Sequence, residues 1–141
     1  MKNVNHYLSD KECELCVLGT LLLERNAIHQ VREFLSPKSF YINFHREIYC
    51  AILAMIDRGD RADIVSIMPE LKKRNVEFTP FELASITQNH TFDLVQYACR
   101  LNELEKRRSL YELGQYLVSN GSNESEDIEE VVQSANDKLS S

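Results

Sequence analysis

The chain has 141 residues, which suits one globular domain or one domain with an appendage. Apolar residues make up 43% and charged residues 27%, as in ordinary globular proteins. The net charge is -6, and the whole excess lies after residue 108, where one Lys accompanies seven Asp and Glu residues. Phosphates repel such an acidic segment, so we expect no direct nucleic-acid binding by this chain alone.

The sequence also argues against a membrane or secreted protein. No apolar run approaches the roughly 18 residues needed to span a bilayer, and the first ten residues lack the apolar core of a signal peptide. The cysteines lie within helical patterns and not in a loop-rich disulfide framework, so we interpret them as reduced thiols of a cytoplasmic protein. They are Cys13, Cys16, Cys50 and Cys99.

Capping signals predict the first helices. Ser9 followed by Glu12 is a capping box that predicts a helix over 10–24. A second, shorter helix is expected over 27–35, where apolar residues recur at helical spacing. After a turn at Ser36-Pro37, a third helix is predicted over 43–58.

Glycine and proline mark the following boundaries. Gly59 is expected to end the third helix. Pro69 is compatible with a fourth helix over 67–74 only in its first turn, where the missing N–H does no harm. Thr79-Pro80-Phe81-Glu82 is a second capping box, which predicts a short helix to about residue 87.

The C-terminal part predicts two more helices. A helix over 91–119 is rich in good helix formers, and its apolar stripe changes phase at 105–109. A last helix follows a short polar loop, so the two should form an antiparallel hairpin. The predicted fold is all-α, with a compact body of about five helices over 1–90 and a projecting hairpin over 91–141. The apolar stripes of the hairpin include Leu110, Leu113, Leu117, Ile128, Val131, Val132 and Leu139.

No catalytic, cofactor-binding or metal-binding constellation is evident. Cys13 and Cys16 have CxxC spacing, but no second pair completes a tetrahedral metal site. The isolated glycines exclude a phosphate loop. The four histidines (His6, His29, His45 and His90) are scattered, and His45 is interpreted as a hydrogen-bonded, partly buried residue. The two basic triplets, 72–74 and 106–108, are flanked by acids and typical of a solvated face.

A series of residues occurs in the order and at the spacings of a known family. They are Val17-Leu18-Gly19, Leu35, Pro37, Phe40-Tyr41, His45, Ile48-Tyr49, Ala51-Ile52, Gly59, Asp63, Val65-Ser66 and Leu71. With these residues the chain resembles the N-terminal domain of the DnaB-type bacterial replicative DNA helicase. The resemblance covers nearly the whole chain, although no single motif is specific.

The sequence departs from the family pattern at three places. Lys38-Ser39 replaces the acidic pair usual after Pro37, Pro69 intrudes in the fourth helix, and the segment after Asn75 lacks the customary glycine-rich turn.

The resemblance implies a collar domain. In this family, hairpins of neighbouring subunits pair, six domains form a trimer of dimers, and the collar binds the C-terminal domain of primase and influences loader contacts. ATP and magnesium would serve only the RecA-like motor domain, which these residues do not contain. We therefore expect that this chain by itself is not an enzyme. We also expect it to be an excised part of a longer ATP-dependent helicase.

The resemblance also suggests residue roles. The hairpin residues Leu110, Leu113, Leu117, Ile128, Val131 and Val132 would carry subunit pairing. Tyr97 and Leu101 would help to fix the hairpin's angle at its junction with the body. Two alternatives remain at this stage, a free-standing adaptor that recruits or blocks the helicase and a metal or thiol protein that uses Cys13 and Cys16.

Overall fold

The structure is a computed structural model that describes residues 8–140. The predictions for His6 and Met1 to Tyr7 lie outside the described residues. The described residues form α-helices and no strand, which confirms the all-α prediction. The helices are α1 (Lys11–Leu23), α2 (Asn43–Asp57), α3 (Ile67–Lys73), α4 (Pro80–Thr87), α5 (Leu94–Gly121) and α6 (Ile128–Ser140), with short 3-10 turns at Ala27–Gln30 and Pro37–Ser39.

Contacts divide the chain into two compact units, Met1–Glu105 and Lys106–Ser141. The division falls inside α5, later than the predicted boundary after residue 90. The first turns of α5 belong to the first unit because Leu94, Ala98 and Leu101 are part of its hydrophobic core.

The core of the first unit lies between α1, α2, α3 and α4. Helix α1 packs against α2 and α4, and α2 packs against α3 and the 3-10 turn at Pro37–Ser39. Phe40 and Tyr49 are fully buried, with ring centroids 5.0 Å apart, and the Tyr49 hydroxyl donates to the carbonyl of Leu35 at 2.8 Å. Burial of apolar side chains, these two among them, supplies most of the driving force for folding this unit.

Several local predictions are confirmed by backbone geometry. Thr79 Oγ1 accepts the amide of Glu82 at 3.1 Å, and the Glu82 carboxylate accepts the amide of Thr79 at 3.2 Å, which completes the capping box. Gly59 has φ 86° and ends α2 in a Schellman motif. Its amide donates to the carbonyl of Ile56, and the amide of Asp60 donates to the carbonyl of Met55. Pro69 lies in the first turn of α3.

Two predictions about the N-terminal helices are wrong. Asp10, and not Ser9, caps α1, because Asp10 Oδ1 accepts the amide of Cys13 at 3.0 Å. The segment 27–35 is not one α-helix. The Ile28 carbonyl accepts the amides of both Val31 and Arg32, so three- and four-residue spacings alternate. So short a segment has too few hydrogen bonds to offset helix nucleation.

A buried carboxylate joins α1 to the start of α2. Glu14 is 1% exposed and accepts the backbone amides of Tyr41 at 2.8 Å and Ile42 at 3.4 Å. Its Oε1 lies 2.9 Å from Nδ1 of His45, which is 4% exposed. A buried charge is tolerated when its oxygens are hydrogen-bonded in this way, so Glu14 is a structural residue. The predicted hydrogen bond of His45 is confirmed, and the residue is more deeply buried than predicted.

We expect Glu14→Ala to lower the free energy of unfolding by about 2–4 kcal/mol, since two partly buried amides and the buried His45 ring lose their hydrogen-bond partner. Urea denaturation followed by circular dichroism measures this loss. The matched control is Glu12→Ala on the exposed side of the same helix, for which a change of about 0.5 kcal/mol or less is expected. Equal effects of the two substitutions would contradict a structural role for Glu14.

Gly19 allows α1 and α4 to approach closely. A Cβ at this position would collide with the backbone carbonyl of Asn89 and lie 2.6 Å from the carbonyl oxygen of Ile86. Backbone atoms cannot move aside as the end of a flexible side chain can, so any side chain at position 19 must push the two helices apart.

Gly19→Ala should therefore destabilise the protein by about 1–3 kcal/mol through overpacking. Gly114 is the control, because a Cβ there meets no atom within 4 Å and the residue lies inside α5. Gly114→Ala should instead stabilise the helix by about 0.5–1 kcal/mol. Thermal and urea denaturation of both variants provide the comparison, and a stable Gly19→Ala variant would be inconsistent with the tight crossing.

Candidate subunit interface

The second unit consists of the C-terminal part of α5, a polar loop and α6. The loop is held by Asn123 Oδ1, which accepts both the amide and the hydroxyl of Ser125, at 3.1 and 2.7 Å. Asp127 Oδ1 then accepts the amide of Glu129 at 3.3 Å at the start of α6. The acidic residues in the first turn of α6 interact favourably with the positive N-terminal end of the helix dipole.

Helix α6 has one buried apolar residue and a cation–π contact with α5. The buried residue is Val131, which is 5% exposed. The ammonium group of Lys138 lies 4.5 Å from the centroid of the Tyr116 ring, a cation–π arrangement. Two helices alone bury few apolar side chains, so much of the apolar surface stays accessible.

The structure separates the six predicted interface residues into two groups. Val131 is buried and Leu113 is half-buried, so these two stabilise the unit itself. Four are accessible, with exposed fractions of 59% for Leu110, 45% for Leu117, 57% for Ile128 and 50% for Val132. We call these four residues the hairpin face.

Further exposed apolar residues adjoin the hairpin face in sequence. Val118 is 75% exposed and Leu139 is 63% exposed. Leu139 belongs to the apolar stripe seen in the sequence, whereas Val118 does not follow the helical spacing of its neighbours and was missed. Several exposed apolar side chains on neighbouring parts of two helices are typical of surfaces that bind another protein.

The predicted junction residues lie in the first unit. Leu101 is 1% exposed and part of the core, whereas Tyr97 is 36% exposed. The Tyr97 carbonyl accepts a hydrogen bond from Cys13 Sγ at 3.2 Å. Both residues therefore fix α5 to the first unit, and whether they set the hairpin's angle stays a prediction.

Sequence reasoning missed a polar contact at the end of the first unit. Glu105 Oε1 accepts the hydroxyls of Ser36 at 3.1 Å and Ser39 at 2.7 Å. Ser39 is fully buried and also accepts the amide of Ser36 at 3.1 Å. The unusual Lys38-Ser39 pair pointed to this turn, but nothing in the sequence connected it with a residue far along the chain.

The thiols show no sign of an activated site. Burial raises the pKa of Cys13 to about 12, and burial also raises the pKa of Cys16. The thiolate is the reactive form, so both are poor nucleophiles near neutral pH. Across residues 8–140, no three His, Cys, Asp or Glu residues are grouped so that they could hold a metal ion.

No helix within the described part of the chain is long and apolar enough to cross a membrane.

Comparison with known proteins defines the family. The family model of the DnaB-like helicase N-terminal domain matches residues 7–103. A similar solved structure is the N-terminal domain of DnaB helicase from Mycobacterium tuberculosis, with a TM-score of 0.85 and 31% identity, covering 94% of this chain and 98% of that one. The chain therefore belongs to the DnaB-like helicase N-terminal domain family.

Curated relatives agree with this assignment. The replicative DNA helicase DnaB of Synechocystis is 26% identical over 133 residues, which cover 91% of this chain. That of Mycobacterium leprae is 40% identical over 67 residues, or 48% of this chain. The matched regions span 15% and 11% of those two helicases. These matches favour a helicase N-terminal domain over the free-standing adaptor.

Proposed function

We propose that this chain is a collar domain of a hexameric, ATP-dependent replicative DNA helicase, in which hairpins of neighbouring subunits pair. Family membership supports the collar, and the hairpin face supports the pairing, because it leaves four apolar side chains accessible on a unit of only two helices. The proposed assembly is a trimer of dimers in the bacterial cytoplasm. ATP and magnesium would serve a motor domain, and this domain would need neither.

Pairing through the hairpin face agrees with the physics of isologous contacts. In a two-fold dimer the same surface is used by both subunits, so a self-complementary apolar stripe is sufficient. The side chains of Leu117 and Val132 would pack against their counterparts, while the acidic residues of α6 would stay at the solvated rim. Tyr97 and Leu101 would fix the direction in which α5 leaves the first unit.

We expect Leu117→Asp to weaken self-association at least about tenfold, since a charge would be placed in an apolar contact. Sedimentation velocity over a concentration series measures the change. Val65→Asp is the control, because Val65 is 70% exposed and lies in the first unit. Ile128→Asp should behave like Leu117→Asp. Unchanged association of both hairpin variants would remove the hairpin face from the interface.

The second proposed role is recruitment of primase, with the helicase loader as a further partner. The acidic residues Glu126, Glu129 and Glu130 are exposed at the start of α6 and would suit a basic partner surface. The mixed apolar and acidic character of this unit resembles an interface core with a polar rim.

A calorimetric titration with the C-terminal domain of the same organism's primase tests this role. Saturable binding is expected, and a Glu126/Glu129/Glu130→Gln variant should weaken it, with a loss of salt dependence. The matched control replaces Glu33, Glu77 and Glu82 of the first unit, which are also exposed, by Gln. Absence of binding by both the isolated chain and the hexamer that contains it would overturn the primase role.

A further inference from the structure

A polar contact holds the end of the part of α5 that belongs to the first unit. Glu105 Oε1 accepts the hydroxyls of Ser39 at 2.7 Å and Ser36 at 3.1 Å, and the Ser39 oxygen accepts the amide of Ser36 at 3.1 Å. Glu105 is the residue directly before the division of the chain, and all three residues belong to the first unit. The contact therefore lies where the first unit's hold on α5 ends.

Apolar packing of α5 against the core decreases before this point. The described core cluster extends along α5 as far as Leu101. Leu104 is buried as well, with 5% exposed, but lies outside that cluster. The turn 102–105 therefore has less apolar packing against the core than the turns before it, and the hydrogen bonds to Glu105 compensate for this.

The turn that Glu105 contacts is also held from another side. The amides of Tyr41 and Ile42 donate to Glu14 of α1, at 2.8 and 3.4 Å. The 3-10 turn at Pro37–Ser39 packs against α2 as well. These contacts do not involve α5, so the turn keeps its position when Glu105 moves away.

The two carboxylates differ in their access to water. Glu14 is 1% exposed, so solvent cannot replace its hydrogen-bond partners. Glu105 and Ser36 are half-buried, so water can take the place of the serine hydroxyls at the Glu105 carboxylate. Exchange of a protein partner for water changes the free energy little. An open state of the Glu105 contact is therefore thermally accessible, whereas the Glu14 contacts stay closed.

We propose that Ser36, Ser39 and Glu105 form a latch, the α5 latch, with a closed and an open state. In the closed state it holds the turn 102–105 of α5 in the first unit. In the open state Glu105 is solvated, and the first unit's hold on α5 ends one turn earlier, at Leu101. This inference does not rest on the collar function or on subunit pairing, because the latch lies within the first unit and uses no residue of the hairpin face.

The test is NMR-detected hydrogen exchange of the intact 141-residue chain. A helical turn that loses tertiary contacts opens locally more often, and its amides exchange faster. Glu105→Ala removes the latch and should speed exchange of the amides of residues 102–105 about tenfold, which corresponds to the loss of two hydrogen bonds. The amides of Tyr41 and Ala98 should change by less than about twofold, since Glu14 and the core hold them.

Two further variants of α5 isolate the contact. Glu103→Ala is the matched control, because it removes the same charge from an exposed position two residues earlier in the helix. Exchange of the amides of residues 102–105 should then change by less than about twofold. Glu105→Gln is the conservative variant, because its amide oxygen still accepts both hydroxyls, and exchange should stay close to that of the wild type.

Substitution of both serines opens the same latch from its other side. The Ser36→Ala/Ser39→Ala variant removes the two donors and adds no bulk, so it should speed exchange of the amides of residues 102–105 about as much as Glu105→Ala does. In that background Glu105→Ala should add less than about a twofold effect, because substitutions that break one contact are not additive.

Additive effects of the serine and glutamate substitutions would overturn the latch, since Glu105 would then act through other groups. Unchanged exchange of the turn 102–105 in Glu105→Ala would also overturn it. Equally faster exchange at Tyr41 would show general destabilisation and would contradict a local device. If the double serine variant fails to fold, Glu105→Ala and Glu105→Gln decide, because equal rates in these two variants would show that the acceptor oxygen has no role.

Discussion

The buried carboxylate of Glu14 is the constraint on which the first unit depends. An ionised group in an apolar interior is costly unless every strong lone pair finds a donor. Glu14 obtains its partners from a segment far away in sequence, where the amides of Tyr41 and Ile42 donate to it and Nδ1 of His45 shares a hydrogen bond with it. The turn before α2 and the first turn of that helix must therefore take one position relative to α1.

This requirement makes the assembly of the unit cooperative. Apolar contacts between α1 and α2 tolerate small shifts, because hydrophobic burial has no direction. Hydrogen bonds to a buried carboxylate do not tolerate such shifts, since a displacement of about 1 Å removes them and leaves the carboxylate without partners. The same contacts fix the orientation of the His45 ring, so the buried carboxylate also positions a side chain in the first turn of α2.

Much of the fold could be predicted because its signals are local. The Thr79–Glu82 capping box, the proline in the first turn of α3 and the glycine after α2 each act within a few residues. Glu14 could not be predicted in this way. A glutamate in the first turn of a helix is usually solvated, and its burial depends on amides that the chain brings together only on folding.

The candidate interface also could be predicted only in part from local sequence signals. Helical periodicity identified the apolar stripes of the hairpin, but it could not decide which of two neighbouring residues faces the other helix. Val131 is buried and Val132 is half exposed, although both fit the stripe. The two hydrogen bonds that Ser36 and Ser39 donate to Glu105 could not be predicted either, because residues so distant in sequence leave no common local signal.

The course of α5 has a consequence for how this protein would be divided experimentally. Proteases cut exposed, irregular backbone, and the division between the two units lies inside an unbroken helix. Limited digestion should cut the loop between α5 and α6 before it cuts near residue 105. A fragment map made in this way would assign the whole of α5 to the first unit and would misplace the boundary by several helical turns.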